Sequence, residues 1–156
     1  MSGSIEGQNR VSTSDGSNRE NPEAIANHFL DRLQVGYENA DISLITGLYN
    51  DPVAAVDITR DEHRFYTASS LQAEMTQALA GLTERKCRFT DRQISAEGDM
   101  IMIRTLRSVT ANEIPITANC LMLMILRKQF LREGPGEYVV TDQILLKEEY
   151  IPKSES

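Results

Sequence analysis

The stretch ANCLMLMILRKQF, residues 118–130, decides the fold of this chain. It is apolar at every position from Cys120 to Leu126, so it is either a buried helix or a strand covered on both faces. Turn signals flank it, at residues 111–113 and at the Gly- and Pro-containing residues 133–136. A helix between two hairpin turns would interrupt the pairing of the strands around it. The stretch is therefore predicted to be a strand.

The segments around this stretch also have the composition of strands. Four strands are predicted, over residues 88–95, 100–110, 114–127 and 137–151, with a further turn signal at residues 97–99. Strands joined in succession by short turns pair antiparallel. The C-terminal half is therefore predicted to be an antiparallel meander.

Three helices are predicted upstream of the meander. The first begins at Asn21, because Asn caps free N–H groups and the proline after it is tolerated at the first helical position. The second begins at Asp41 and ends at residues 50–52, because the residue before a proline avoids helical angles. The third begins at Thr67 or Ser69 and carries an apolar stripe. Two short strands are predicted between the last two helices, over residues 53–59 and 65–66.

Both faces of the strand at residues 118–130 are apolar. Ala118, Cys120, Met122, Met124 and Leu126 point to one face, and Leu121, Leu123 and Ile125 point to the other. Apolar surface of this extent needs a cover on each face. The helices can cover one face, and a second copy of the chain is predicted to cover the other, giving a homodimer through the outer sheet face. The alternative is that the C-terminal segment folds over that face.

Length and composition indicate one globular domain. The chain has 156 residues, 40% of them hydrophobic, which suits a single core. Residues 1–20 are rich in Ser, Gly and Asn and are predicted to be a disordered tail. The domain is predicted to span residues 21–151, and residues 152–156 are predicted to form a short polar tail.

Charge and cysteine content exclude several kinds of partner. The net charge is −7 and no basic stripe is present, so neither nucleic acid nor a membrane is predicted as a partner. No stretch has the length needed to span a bilayer. Cys87 and Cys120 lie far apart with no histidine near them, so neither a metal site nor a disulfide is predicted. The predicted compartment is the reducing cytoplasm.

The order of elements and two segments resemble the nuclear transport factor 2-like superfamily, and within it the SnoaL-like proteins. In ENADISLITGLYNDPVAAVDI, residues 38–58, Ala40-Asp41 opens the second helix, and Leu48-Tyr49 is followed by an acidic residue and a strand, as in such proteins. TASSLQAEMTQAL, residues 67–79, is similar to their third helix. The resemblance covers residues 22–151.

The resemblance implies an α+β fold in which three N-terminal helices pack on a strongly curved, mainly antiparallel sheet. The sheet of such proteins forms a cone with a central pocket at its open end. Members of the superfamily include isomerases, cyclases, dehydratases and epoxide hydrolases, and also ligand-binding and scaffolding domains. The resemblance therefore implies a pocket and no particular reaction.

Three residues are the candidates for catalysis. Asp57 ends a predicted strand, where its carboxylate could act as a base in a pocket. Arg104 lies on a strand face with Met100, Met102 and Leu106, and an arginine there is expected to have a carboxylate partner or an anionic ligand. Asp142 in the last strand is a possible partner, and the sequence leaves open whether the two residues pair. Epoxide hydrolases of the superfamily carry an Asp two residues beyond the Arg, and Leu106 at that position argues against their chemistry.

A further set of residues is predicted to contact a ligand. Tyrosine hydroxyls can hydrogen-bond a substrate oxygen, methionines can line an adaptable apolar pocket, and an amide can bind a polar group. The predicted ligand-binding residues are Tyr37, Tyr49, Tyr66, Met102, Asn119 and Met122.

These residues support three hypotheses. The first is a SnoaL-like protein that holds a small apolar or aromatic molecule in an apolar pocket, with no cofactor. The second is a cofactor-free isomerase, cyclase or dehydratase with Asp57 as its base and Arg104 or a tyrosine as the oxyanion partner. Asp142 or His63 would support that chemistry. The third is a dimeric scaffold or association domain whose pocket is filled.

Overall fold

The computed structural model describes residues 21–131 and 134–153. The predicted tail over residues 1–20 lies outside the described residues, as do residues 154–156 of the predicted C-terminal tail. The last strand extends to Pro152, and Lys153 is tied to the loop before residue 116 by a bond from its backbone N–H to the Pro115 carbonyl at 3.1 Å. The domain therefore extends slightly beyond residue 151.

The three predicted helices are present, and each begins at a side chain that caps it. Helix α1 spans Pro22–Asn39, α2 spans Ile42–Gly47 and α3 spans Ala68–Leu79. The side chain of Asn21 accepts bonds from the first turn of α1, and Asp41 accepts from Leu44 in α2. Thr67 caps α3 in a capping box with Ser70. The cap residues expected from the sequence are confirmed.

Six strands form one open sheet. Strand β1 spans Tyr49–Asp57, β2 Glu62–Tyr66, β3 Lys86–Glu97, β4 Met100–Thr110, β5 Ile116–Leu131 and β6 Gly134–Pro152. Their order across the sheet is β2-β1-β6-β5-β4-β3. The pairing of β1 with β6 is parallel and all other pairings are antiparallel. The meander β3 to β6 and the mainly antiparallel α+β fold are confirmed.

Several element boundaries differ from the expected ones, and two of these differences have a clear physical reason. Residues 50–52 were expected to end α2, but α2 ends at Gly47 and these residues lie in β1. The reason is tertiary pairing, because Tyr49 is already opposite Val140 of β6. The turn expected at residues 133–136 is also misplaced in part, since Gly134 and Pro135 are paired with β5. A proline is tolerated at the start of a strand.

The inner face of the sheet packs on the helices. Cys120, Met122, Met124 and Leu126 of β5 are at most 2% exposed and belong to one core with Phe29, Leu30 and Leu33 of α1. Leu121, Leu123 and Ile125 point to the outer face, where they are half-buried. The stretch that decides the fold is therefore a central strand with helices on one side. Shifts of register in β3 to β6 mark bulges, which bend a sheet around what it covers.

Candidate functional site

A cavity of about 270 Å³ lies where the helices leave the inner face of the sheet uncovered. Its walls come from both halves of the chain: the end of α1, strands β1 and β2, helix α3, and the inner faces of β4 and β6. The apolar part of the wall consists of Val53, Ala55, Val56, Leu71, Met75 and Leu145. The cavity is therefore built by the packing of α3 and the β1–β2 hairpin against the meander.

The inner end of the cavity is polar. We define it by Tyr37, Tyr49, Arg107 and Gln143. The hydroxyl of Tyr49 donates a hydrogen bond to Oε1 of Gln143 at 2.8 Å, which joins the first residue of β1 to β6. Burial raises the pKa of Tyr37, although the charge of Arg107 partly opposes the rise. Burial raises the pKa of Tyr49 as well. Both side chains are therefore neutral phenols that can donate a hydrogen bond.

Arg107 brings a positive charge to this inner end. It lies on β4 opposite Phe89 of β3 and Cys120 of β5, in the row of side chains that faces the helices. Its Nε is buried and has no hydrogen-bond partner. Within the described part of the chain no carboxylate lies within ion-pair distance of its guanidinium. A buried arginine N–H without a hydrogen-bond partner, in a side chain without a carboxylate beside it, is uncommon in a folded protein.

The thiols beside Arg107 do not neutralise it. Burial raises the pKa of Cys87 to about 12, more than the nearby guanidinium lowers it. Burial also raises the pKa of Cys120. Both cysteines are free and buried, so each is a neutral thiol in the physiological range.

Charged side chains surround the exposed end of the cavity, and three of them form a rim. We define the rim as Asp57, Arg60 and Glu148. Asp57 Oδ1 accepts bonds from the Thr59 hydroxyl at 2.5 Å and from the backbone N–H of Arg60 at 3.2 Å. Arg60 Nη2 lies 3.5 Å from Glu148 Oε1. The rim thus ties the turn after β1 to strand β6, and it adds charged groups to the apolar wall of the cavity.

Of the three predicted catalytic residues, only Asp57 lines the cavity. Arg104 does share a strand face with Met100, Met102 and Leu106, but this is the outer face, where Arg104 is exposed. The question of whether Arg104 pairs with Asp142 was open from the sequence. Asp142 pairs instead with Arg127, whose Nη1 lies 3.1 Å from its Oδ2. His63 is exposed on β2.

The predicted ligand-binding residues are divided in the same way. Tyr37, Tyr49 and Tyr66 line the cavity. Met102 lies on the outer face, and so does Asn119, whose Oδ1 accepts a 2.5 Å bond from the Ser108 hydroxyl. Met122 is 1% exposed and lies in the core, outside the cavity lining. The methionines of β4 and β5 therefore do not share one face.

Arg107 is the polar group that the sequence interpretation missed. The signal for it was available in MIMIRTLRSV, residues 100–109, because Ile101, Ile103 and Val109 share its alternate positions. An arginine on that face is as unusual as one on the opposite face. Choosing between the two faces needed the register of β4 against β5, which places Arg107 opposite Cys120 and Arg104 opposite Leu123.

Two other kinds of site are absent from the part of the chain that the structure describes. Residues 21–131 and 134–153 contain no group of three or more His, Cys, Asp or Glu side chains arranged to hold a metal ion. Among the helices described, none combines the length and apolar character needed to cross a bilayer.

Comparison with known proteins rests on solved structures, since no protein-family model and no curated protein matches the chain. A nuclear transport factor 2-like protein of unknown function from Pseudomonas putida matches with a TM-score of 0.67 at 14% identity, over 87% of this chain and 99% of that one. Another nuclear transport factor 2-like protein, from Cytophaga hutchinsonii, matches with a TM-score of 0.63 at 14% identity, over 81% and 98%.

A third match is a protein with a cystatin-like fold from Nostoc punctiforme, with a TM-score of 0.62 at 10% identity, over 79% of this chain and 88% of that one. Identities this low establish the architecture and carry no activity across. The three helices, the six-stranded mixed sheet and these likenesses agree. The chain therefore has the cystatin-like α+β fold of the nuclear transport factor 2-like superfamily.

Proposed function

We propose that this chain binds a small organic molecule in the cavity between α3, the β1–β2 hairpin and the meander. The observation that carries the proposal is the cavity itself, in which polar groups from four separate elements converge on one unfilled volume. Concave sites with an apolar wall and a few converging polar groups are the usual form of ligand pockets. The superfamily fold supports the proposal in the same general way.

The size of the cavity limits the ligand to a small one. A volume of about 270 Å³ equals that of about nine water molecules in the liquid. The apolar wall, with Leu71, Met75 and Leu145, suits a short aliphatic chain or a single ring. The tyrosine hydroxyls at the inner end suit an oxygen-containing group, so the expected apolar or aromatic ligand also carries a polar end.

A catalytic role is a second proposal that one observation favours. The carboxylates of Asp57 and Glu148 line the same cavity as Tyr37 and Arg107, so a base and an oxyanion partner lie around one volume. Against it, the Asp57 carboxylate is engaged by Thr59 and Arg60 in the turn after β1. The variants Asp57→Asn and Glu148→Gln test it, because turnover that survives both excludes these carboxylates as the base.

The scaffold hypothesis fits less well than a binding function. A scaffold has no need of an open pocket, and side chains fill the space in such a domain. An unfilled cavity whose wall contains a guanidinium with an unsatisfied Nε–H therefore favours ligand binding.

We further propose that the chain is a cytoplasmic homodimer that associates through the outer sheet face. Leu121, Leu123 and Ile125 remain half-buried on that face, and a second copy would remove them from water. The two free cysteines suit a reducing compartment. Light scattering of the wild type and of Leu123→Lys measures the association. A wild-type monomer would contradict the proposal.

Native mass spectrometry of the protein purified without added ligand is the first test of binding. A discrete adduct gives the ligand mass directly, and thermal shift with a library of small molecules follows. The matched variants are Ala55→Leu, which fills the cavity wall, and Ala54→Leu, whose residue is outside the lining on the same strand. The proposal is supported if Ala55→Leu weakens ligand binding and Ala54→Leu does not. If neither variant changes the affinity, the ligand binds outside this cavity.

A further inference from the structure

The guanidinium of Arg107 is a buried charged group that is only partly hydrogen-bonded. Its Nε is buried without a hydrogen-bond partner, although an arginine is always charged and offers five N–H donors. Burying such a donor unpaired is unfavourable, so the group calls for a partner such as a water, an ion or a ligand. The side chain is part of the cavity wall, so a ligand in the cavity can contact its guanidinium.

No neighbouring protein group supplies the missing negative charge. The phenols of Tyr37 and Tyr49 and the thiol of Cys87 are neutral because burial raises the pKa of each. The carboxylate in the same row across the sheet is Glu148, opposite Cys120, and it pairs with Arg60 at the rim. Gln143 is already the acceptor for the Tyr49 hydroxyl. The inner end thus has donors and a positive charge but no anion.

We propose that the ligand of this chain is a small organic monocarboxylate, whose carboxylate group binds Arg107 at the inner end of the cavity and whose apolar body lies along the wall formed by Val53, Leu71 and Leu145. This inference rests on the proposed binding function and names its ligand class. A guanidinium and a carboxylate match in geometry through two parallel N–H···O bonds. The neutral hydroxyl of Tyr37, which lies beside Arg107, can donate a further bond to the same group.

The charges around the cavity favour one negative charge on the ligand over two. Three arginines line it, Arg60, Arg64 and Arg107, and they are outnumbered by the carboxylates. These four carboxylates belong to Asp57, Glu62, Glu74 and Glu148. A dianion such as phosphate would meet their repulsion, whereas a monocarboxylate neutralises Arg107 alone. The cavity volume excludes long acyl chains in an extended form.

The experiment compares carboxylates with uncharged amides of the same shape. Isothermal titration of the full chain uses three probe pairs: acetate and acetamide, benzoate and benzamide, and phenylacetate and phenylacetamide. At about pH 7.5 each acid is fully ionised, because carboxyl groups titrate near pH 4. For at least one pair we expect the carboxylate to bind about ten- to a hundredfold more tightly than its amide, the range for hydrogen bonds to a charged group.

Matched variants locate the effect at one guanidinium. Arg107→Met should lower the affinity for the carboxylate to that for the amide, and Arg107→Lys should keep part of the preference, since it keeps the charge without the bidentate geometry. Arg104→Met, on the outer face of the same strand, should leave the preference unchanged. The wild-type comparison stands on its own if a variant does not fold.

The outcomes separate this inference from the proposed function. Three results would each overturn the monocarboxylate assignment: amides that bind as tightly as carboxylates, a preference for carboxylates that survives Arg107→Met, and tighter binding of inorganic phosphate. The proposed small-molecule function would still stand if any probe binds. Both the monocarboxylate assignment and the proposed binding function would be overturned by a protein without any sign of ligand binding. Such a protein binds no member of any pair, carries no adduct in native mass spectrometry and is stabilised by no compound of the library.

Discussion

Replacing Arg107 with methionine should stabilise the ligand-free protein. The change removes the buried Nε donor that has no hydrogen-bond partner. It keeps an unbranched apolar chain between Phe89 and Cys120, where the arginine stem now lies. Most substitutions of buried residues destabilise a protein, so the opposite sign is a sharp test.

The magnitude follows from the cost of the unpaired donor. A buried polar group without a partner costs about 1–3 kcal/mol. Part of this gain is offset because the favourable interaction of the guanidinium with Tyr37 is lost. We therefore expect the free energy of unfolding to rise by about 1–2 kcal/mol, equivalent to an increase of about 2–8 °C in Tm for a domain of this size.

Urea titration of the wild type, Arg107→Met and Arg104→Met measures this difference. The chain has no Trp and five Tyr, so far-UV circular dichroism and tyrosine fluorescence are suitable probes. Arg104 is exposed, and its variant should stay within about 0.5 kcal/mol of the wild type. If the free energy of unfolding falls by about 1 kcal/mol or more in Arg107→Met alone, the guanidinium stabilises the fold. The unpaired Nε donor would then not be a net cost to the ligand-free protein.

Three further predictions concern the core. Gly36→Ala should destabilise the protein by about 1–3 kcal/mol, because a Cβ there would lie 2.7 Å from Cγ1 of Ile45, while Gly47→Ala, with nothing within 4 Å, should be neutral or stabilising in the same urea titration. The buried thiols of Cys87 and Cys120 should resist a thiol reagent at about pH 8 in the native protein and react fully in denaturant, and rapid native labelling would contradict their burial. Because the pKa of Cys87 is raised to about 12 from 9.0, the unfolded chain releases this proton first, and the free energy of unfolding should fall as the pH rises through that interval.

The fold could be predicted from the sequence where local signals and tertiary pairing agree. Asn21, Asp41 and Thr67 cap helices for reasons contained in a few neighbouring residues. The strand character of residues 118–130 followed from the turns around it. The end of α2 could not be predicted in this way, because the pairing of Tyr49 with a residue far along the chain decides it.

The candidate site could be predicted only in part, for a reason that lies in β4. Both of its faces are apolar with one arginine each, so alternation alone does not distinguish Arg104 from Arg107. The tyrosines were easier to identify, since each lies near the boundary of a helix or strand in the N-terminal half. The contacts of these tyrosines with Gln143 and Glu148 depend on how β6 pairs with its neighbouring strands, which no local sequence pattern indicates.

The pairing of Tyr49 with Gln143 spans 94 residues and has a consequence for the order of folding. Among the described residues, the β1–β2 hairpin joins the rest of the sheet through β6, which follows the other strands in sequence. Contacts of such large sequence separation form late, after the entropy of closing a long loop has been overcome. A nascent chain in which β6 has not yet been synthesised therefore contains Arg107 but lacks the cavity wall that β6 contributes. Ligand binding should therefore appear in the last phase of refolding. A ligand that is bound in the cavity then stabilises the contact between β1 and β6.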